Sequence, residues 1–179
     1  MVDRIDLPDA TAEPEAYREA LLDLVRDRDP LEIMERTVTE CRRLVEGLDE
    51  DRLHRSPEPG EWSAAEVVAH LFDVDLVHGF RWRLVLTSDR PSYPGYDEKL
   101  WTPLPRPPFW QMFSAWEGLR ASNLVLLRGT PREQWSRTGV HGEQGEEDAG
   151  VMVSKVAAHD LAHLNQIERA VAQVNRGLR

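Results

Sequence analysis

The pentapeptide His159–Asp160–Leu161–Ala162–His163 places two imidazoles four residues apart. On a helix, positions i and i+4 share a face, with Cβ atoms roughly 6 Å apart. Both rings could then grip one transition-metal ion. A third histidine, His70, lies about ninety residues upstream and could close a three-histidine site from another helix. Three protein ligands with a position left open is the pattern of catalytic rather than structural metal centres. Imidazole suits zinc, nickel, iron and copper alike. The i, i+4 device is also that of the H-E-x-x-H zinc enzymes. Here Asp160 follows the first histidine, so the general-base glutamate of that motif is missing and a protease of that kind is disfavoured. Taken alone, H-x-x-x-H is a weak pattern, because a helix histidine is more often a satisfied polar group.

The remaining candidates are weighed against plainer roles. Asp73 follows His70 by about one turn and is either an acceptor for a ring N–H or a surface charge. Gln166 continues the His159, His163 stripe at i+7; it either orients a bound water or substrate or is a polar bundle-end residue. His78 is displaced around the helix from His70 and too distant to join the same site directly. His54 and His141 fall in segments read as solvated loops. Cys41 lies on an apolar seam and reads as a buried small hydrophobe rather than a reactive thiol.

Helices must position these residues, since period-two alternation is nearly absent and a period of 3.6 recurs between Pro- and Gly-rich breaks. A short helix is expected from about Glu13 to Arg28, ended by Asp29–Pro30. Leu31, Met34, Val38, Cys41, Val45 and Leu48 then recur at bundle-type spacing. Ser63 with Glu66 forms a capping box, and Trp62 can staple onto Val67. The helix they open is expected from Ala64 to about Leu86, with His70 two turns in. Thr87–Pro108 is a long loop with six prolines, two tyrosines and Trp101; it either serves function or is a rigid lid. Phe109 to Leu127 is amphipathic and is closed by Gly129–Thr130–Pro131. Arg132–Gly150, with its acidic run Glu146–Glu147–Asp148, reads as a solvated loop that lacks the ligand spacing of an EF-hand. The last helix is expected over about Val151–Val174.

Composition excludes several functions. The 179 residues carry a net charge of −10, which argues against a phosphate-backbone partner and against an anionic membrane surface. Lys99 and Lys155 are the only lysines among 22 basic residues. One cysteine excludes an intrachain disulfide, no apolar run approaches the ~18 residues of a membrane span, and the acidic N-terminus lacks a signal-peptide core. A cytoplasmic location is the expectation.

The two richest segments are Gly60–Glu61–Trp62–Ser63–Ala64–Ala65–Glu66–Val67–Val68–Ala69–His70–Leu71 and Ala158–His159–Asp160–Leu161–Ala162–His163–Leu164–Asn165–Gln166–Ile167. Paired in that order and at that separation, they resemble the DinB/YfiT-like family of bacterial metal-binding four-helix proteins, over roughly residues 31–174. The resemblance implies an all-α, up-down-down-up four-helix bundle over 31–179, with residues 1–30 as an N-terminal helical extension. It implies that His70, His159 and His163 converge on one divalent ion, usually zinc or nickel. It also implies a homodimer. Relatives of this family include thiol-dependent S-transferases and isomerases that use mycothiol or bacillithiol, but no substrate-specific motif places this chain among them.

The leading functional expectation is a metal-dependent enzyme that generates hydroxide or thiolate at neutral pH and directs it at a small electrophile. Transfer of a low-molecular-weight thiol is preferred and hydrolysis comes second. The alternative is a non-catalytic, stress-related dimer that binds a small ligand. A purely structural bundle is the third reading.

Overall fold

The computed structural model describes residues 12–176 together with Ile5 and Pro8, the side chain of Pro14 aside. In chain order the elements are α1 (Pro14–Asp23), α2 (Pro30–Val45), α3 (Glu50–Leu53), α4 (Ala64–Thr87), β1 (Ser92–Tyr93), α5 (Glu98–Trp101) and α6 (Phe109–Gly129). A 3-10 turn over Arg132–Ser136 follows, then β2 (Thr138–His141), β3 (Gly145–Asp148) and α7 (Ala149–Arg176). α1 ends at Asp23, short of the expected Arg28, and residues 24–27 continue as turns. Most of the expected extension before it lies outside the described residues.

Capping chemistry sets the helix starts. The Ser63 hydroxyl accepts from the Glu66 N–H at 3.3 Å, and the Glu66 carboxylate accepts from the Ser63 N–H at 2.7 Å. A cap of this kind contributes on the order of 1 kcal/mol. Trp62 packs on the cluster that contains Val67. Asp29 accepts from the Leu31 N–H at 2.8 Å, with Pro30 at the first helical position of α2. Asp148 accepts from the Val151 N–H at 2.7 Å where α7 begins.

The four long helices α2, α4, α6 and α7 form the bundle. α2 and α4 each pack against both α6 and α7. Side-chain pairs give the directions. Asp75 of α4 meets Trp116 and Arg120 of α6, and Arg83 meets Asn123, so these two helices run parallel. Glu35 of α2 meets Arg128, and Arg42 meets Glu117, so α2 runs against α6. That is the up-down-down-up bundle. It also explains the long connection over residues 88–108. α4 is 24 residues long, about 36 Å, and a parallel successor cannot start until the chain has travelled back along it.

α4 and α6 approach closely at Gly79, where a Cβ would lie 2.6 Å from the Asn123 side chain. Asn123 uses that space to donate to the Asp75 carbonyl at 2.9 Å. Two apolar clusters fill the interior. One is built on Met34, Trp82, Val153 and Val156; the other on Cys41, Val67, Phe113 and Trp116.

The solvated-loop reading of residues 132–150 is overturned. Thr138–His141 and Gly145–Asp148 pair antiparallel, and β1 from the crossover adds in parallel to β2, giving a small sheet in the order β1-β2-β3. The acidic run is not free solvent charge. Glu147 is buried and pairs with Lys155 at 2.9 Å, and Asp148 caps α7. Two four-residue strands with so little apolar content carry no legible alternation. Their cohesion comes from pairing with each other and with β1, and from the packing of β3 on α7.

Candidate metal centre

α4 presents His70 near its start and α7 presents His159 and His163 from its middle, each helix being fixed by the caps described above. His70 is buried, and the α7 pair is partly exposed. The Nε2 atoms of His70 and His159 face each other at 3.0 Å. One ring nitrogen from each of the three histidines falls in a group whose members all lie within 4.8 Å of one another. Three imidazoles on a tetrahedral ion at about 2.0–2.1 Å hold their nitrogens about 3.3 Å apart, so the set is close to ligating geometry.

The protonation states suit the same role. Burial pushes His70 down to about 3, with His163 and Arg106 adding repulsion. Burial takes His163 down to about 4 and holds His159 well below the usual range. All three rings are therefore neutral at pH 7, with lone pairs to offer, as a metal requires. Gln166 fixes one tautomer. Its Oε1 accepts from His163 Nδ1 at 2.7 Å, which leaves His163 Nε2 as the bare nitrogen. His159 Nδ1 is buried without a partner. Trp62 closes one side, stacked on His163 at 6.2 Å between centroids and 5.0 Å from the His70 ring.

Other candidates are placed differently. Asp73 is neither a surface charge nor a histidine acceptor: it takes both arms of the Arg106 guanidinium, at 2.9 Å for one. Asp160 turns away from the histidines. It belongs to a buried network in which Arg120 bridges Asp160 and Asp75, and Trp116 donates to Asp75 at 2.8 Å. His54 is exposed beside Glu50, 3.2 Å away. The solvated reading of His141 is overturned, since β2 buries it to 6% exposure. Cys41 is fully buried, and burial pushes its thiol up.

The proline-rich crossover over 87–108, expected to help wall a pocket, does line the cavity through Gly95 to Lys99, but sequence reasoning missed its carboxylate. α5 carries Glu98 to 3.7 Å from His70 Nε2. Because His70 is neutral, this is a carboxylate beside the nitrogen cluster rather than an ion pair, and burial raises the Glu98 pKa. A cavity of about 500 Å³ opens here. Its wall runs from His159 past His78 and Glu98 to Arg81 and His141, and its size suits a small molecule. Arg81 could have been suspected, because it follows His70 by eleven residues, three turns along one helix face. Nothing in the sequence pointed to Glu98.

Residues 33–167 match the model of the DinB superfamily, and the chain belongs to that family. Two relatives from Oceanobacillus iheyensis bear the name "putative metal-dependent hydrolase". One is 28% identical over 130 residues, covering 72% of this chain and 75% of its own. The other is 30% identical over 128 residues, covering 70% and 74%. YfiT from Bacillus subtilis, described as "a probable metal-dependent hydrolase with an unusual four-helix bundle topology", superposes with a TM-score of 0.71 at 19% identity, over 98% of this chain and 92% of its own. No helix among the described residues is long and apolar enough to cross a membrane.

Proposed function

We propose that this protein is a metal-dependent hydrolase of a small molecule, with His70, His159 and His163 holding a divalent ion, zinc or nickel. The observation that carries this reading is the convergence of three neutral imidazoles, one of which, His159, lines a cavity that also holds the Glu98 carboxylate. A divalent ion in that position would polarise an electrophile and make a water or thiol acidic near neutral pH. The Glu98 carboxylate, 3.7 Å from His70 Nε2 and half-exposed to the cavity mouth, takes the proton as general base, and partial desolvation moves its pKa upward. Gln166 holds His163 in the tautomer that leaves Nε2 free, and Trp62 excludes water from one side.

Transfer of a low-molecular-weight thiol uses the same residues with a different nucleophile, and it remains within the proposal. So do a homodimer, a cytoplasmic location, and residues 1–30 as an extension to the bundle core. The rival reading is a small-ligand-binding protein without turnover.

Elemental analysis of the purified protein beside a His159→Ala/His163→Ala double variant tests the metal. Close to one equivalent in the parent and none in the variant is expected. No metal after reconstitution overturns the reading. Glu98→Gln should retain the metal while slowing hydrolysis of a p-nitrophenyl ester panel by about 10²–10⁴-fold. A loaded parent without turnover on esters, amides or thiol acceptors would favour the ligand-binding rival.

A further inference from the structure

The cavity that His159 lines is also lined by Arg81. This residue is only 4% exposed, yet its polar contacts among the described residues are the Pro94 carbonyl, at 2.7 Å from Nη2, and the His141 ring, with Nη2 3.3 Å from Nε2. The guanidinium also lies over the Tyr93 ring at 5.0 Å. A cation this deeply placed is costly unless something answers its charge; Glu147 and Glu143 attract it from nearby, but among the described residues no carboxylate accepts a hydrogen bond from it.

The contact with His141 sharpens the point. Its Nδ1 accepts from the backbone N–H groups of Glu143 at 3.1 Å and Gln144 at 3.2 Å. A neutral imidazole whose Nδ1 accepts must carry its hydrogen on Nε2. Arginine is donor-only. The 3.3 Å approach therefore sets two donors side by side with no acceptor between them. The opposite tautomer is worse, since it would turn an Nδ1–H onto two backbone N–H groups.

We propose that Arg81 and His141 form a subsite for a carboxylate, and that the substrate of the metal-centre reading above is a small carboxylic acid held by its carboxylate at this end of the cavity. The inference rests on that reading for the word substrate, and on the paired donors for the carboxylate. One oxygen between Nη2 and Nε2 would answer both donors, and the planar guanidinium fork matches a carboxylate. The other charges on the wall favour a monoanion over a phosphate. Asp97, Glu98 and Glu143 line the same cavity against Lys99 and Lys155, and Lys155 is already paired with Glu147 at 2.9 Å. A dianion would face net repulsion that a single charge, gripped by Arg81, can overcome. Arg81 lies three turns beyond His70 on α4, about 16 Å along its axis. A ligand held by Arg81 shares a cavity with His159.

Calorimetric titration with benzoate, benzamide and inorganic phosphate tests this on the full chain, as purified and after metal removal by chelation. Benzoate should bind both forms, with benzamide about tenfold weaker or worse, as expected for loss of a charged hydrogen bond. Arg81→Gln and, separately, His141→Phe should weaken benzoate by about tenfold or more, while metal content and the far-UV spectrum match the parent. Equal affinity for benzoate and benzamide, tighter binding of phosphate than benzoate, or indifference to both substitutions would overturn the subsite. Benzoate binding that disappears on chelation but survives Arg81→Gln would put the carboxylate at the histidines, overturning the subsite and sparing the metal reading. Benzoate binding through Arg81 in a protein that takes up no metal would uphold the subsite and sink the metal reading.

Discussion

His159 and Asp160 are neighbours on α7, yet they belong to two polar clusters of opposite character. Around Asp160 donors meet acceptors throughout, although two carboxylates share one guanidinium and burial, with the Asp75 charge, raises the Asp160 carboxyl to about 6. Arg120 donates to Asp75 at 2.7 Å, to the Met34 carbonyl at 2.8 Å and to both Asp160 oxygens, while Trp116 and Asn123 donate to Asp75. The network ties α2, α4, α6 and α7 together. Around His159 the pairing is incomplete: its Nε2 meets the like atom of His70 at 3.0 Å, a contact that a single ring hydrogen bridges, and its Nδ1 is buried without a partner. A saturated network of opposites needs nothing more and holds the fold. A convergence of like groups is completed only by a third party. The paired donors of Arg81 and His141 belong to the second kind.

The contrast breaks most directly at Arg120. Arg120→Met leaves Asp75 and Asp160 as buried carboxylates without a cation and should cost about 3–5 kcal/mol, read by urea denaturation. His159→Ala in chelator-treated protein should cost about 1 kcal/mol or less. Similar losses in the two variants would erase the distinction between the clusters.

A smaller effect is expected at Gln166. Gln166→Leu removes the acceptor that fixes His163 and should lower metal affinity by about 10–100-fold, with stability of the metal-free protein unchanged. Competition with a chromogenic chelator measures it. An unchanged affinity would reduce Gln166 to a bundle-end polar residue.

The smallest effect concerns His78, whose Nδ1 lies 3.0 Å from the Val74 carbonyl and whose pKa burial and Arg81 push down to about 3. The unfolded chain then binds a proton that the folded chain refuses. The stability contributed by neutral His78 is fully present above pH 6.5 and is lost as the pH falls from there toward 3, by at most about 1.4 kcal/mol per unit. Thermal melts across that range should show a shallower acid slope for His78→Leu than for the parent.

What the sequence made legible follows the same division. Residues with local signatures were placed well: the capping box at Ser63 and Glu66, the seam through Cys41, and the i, i+4 histidines were all found where their spacing puts them. Gln166 was suspected from its place on the stripe, and it meets His163 there. Residues whose role depends on distant chain segments were not legible. Asp73 finds Arg106, Lys155 finds Glu147 and Glu98 finds His70 only because the crossover and the hairpin fold back onto α4 and α7. The hairpin itself was invisible, since four-residue strands rich in glycine and glutamate carry no period to detect. His141 was misjudged with it.

The crossover is fastened at two points. Upstream, β1 pairs with β2. Downstream, Arg106 grips Asp73 and the Trp101 carbonyl. Between these fastenings, Gly95 to Lys99 face the cavity, while the histidines and the Asp75–Arg120–Asp160 network sit on other elements. The protein thus separates what can vary from what cannot. New side chains at 95–97 and 99, with Glu98 kept, would re-cut the pocket without disturbing the bundle or the histidines. For an evolving lineage or an engineer, this strap is the interchangeable part.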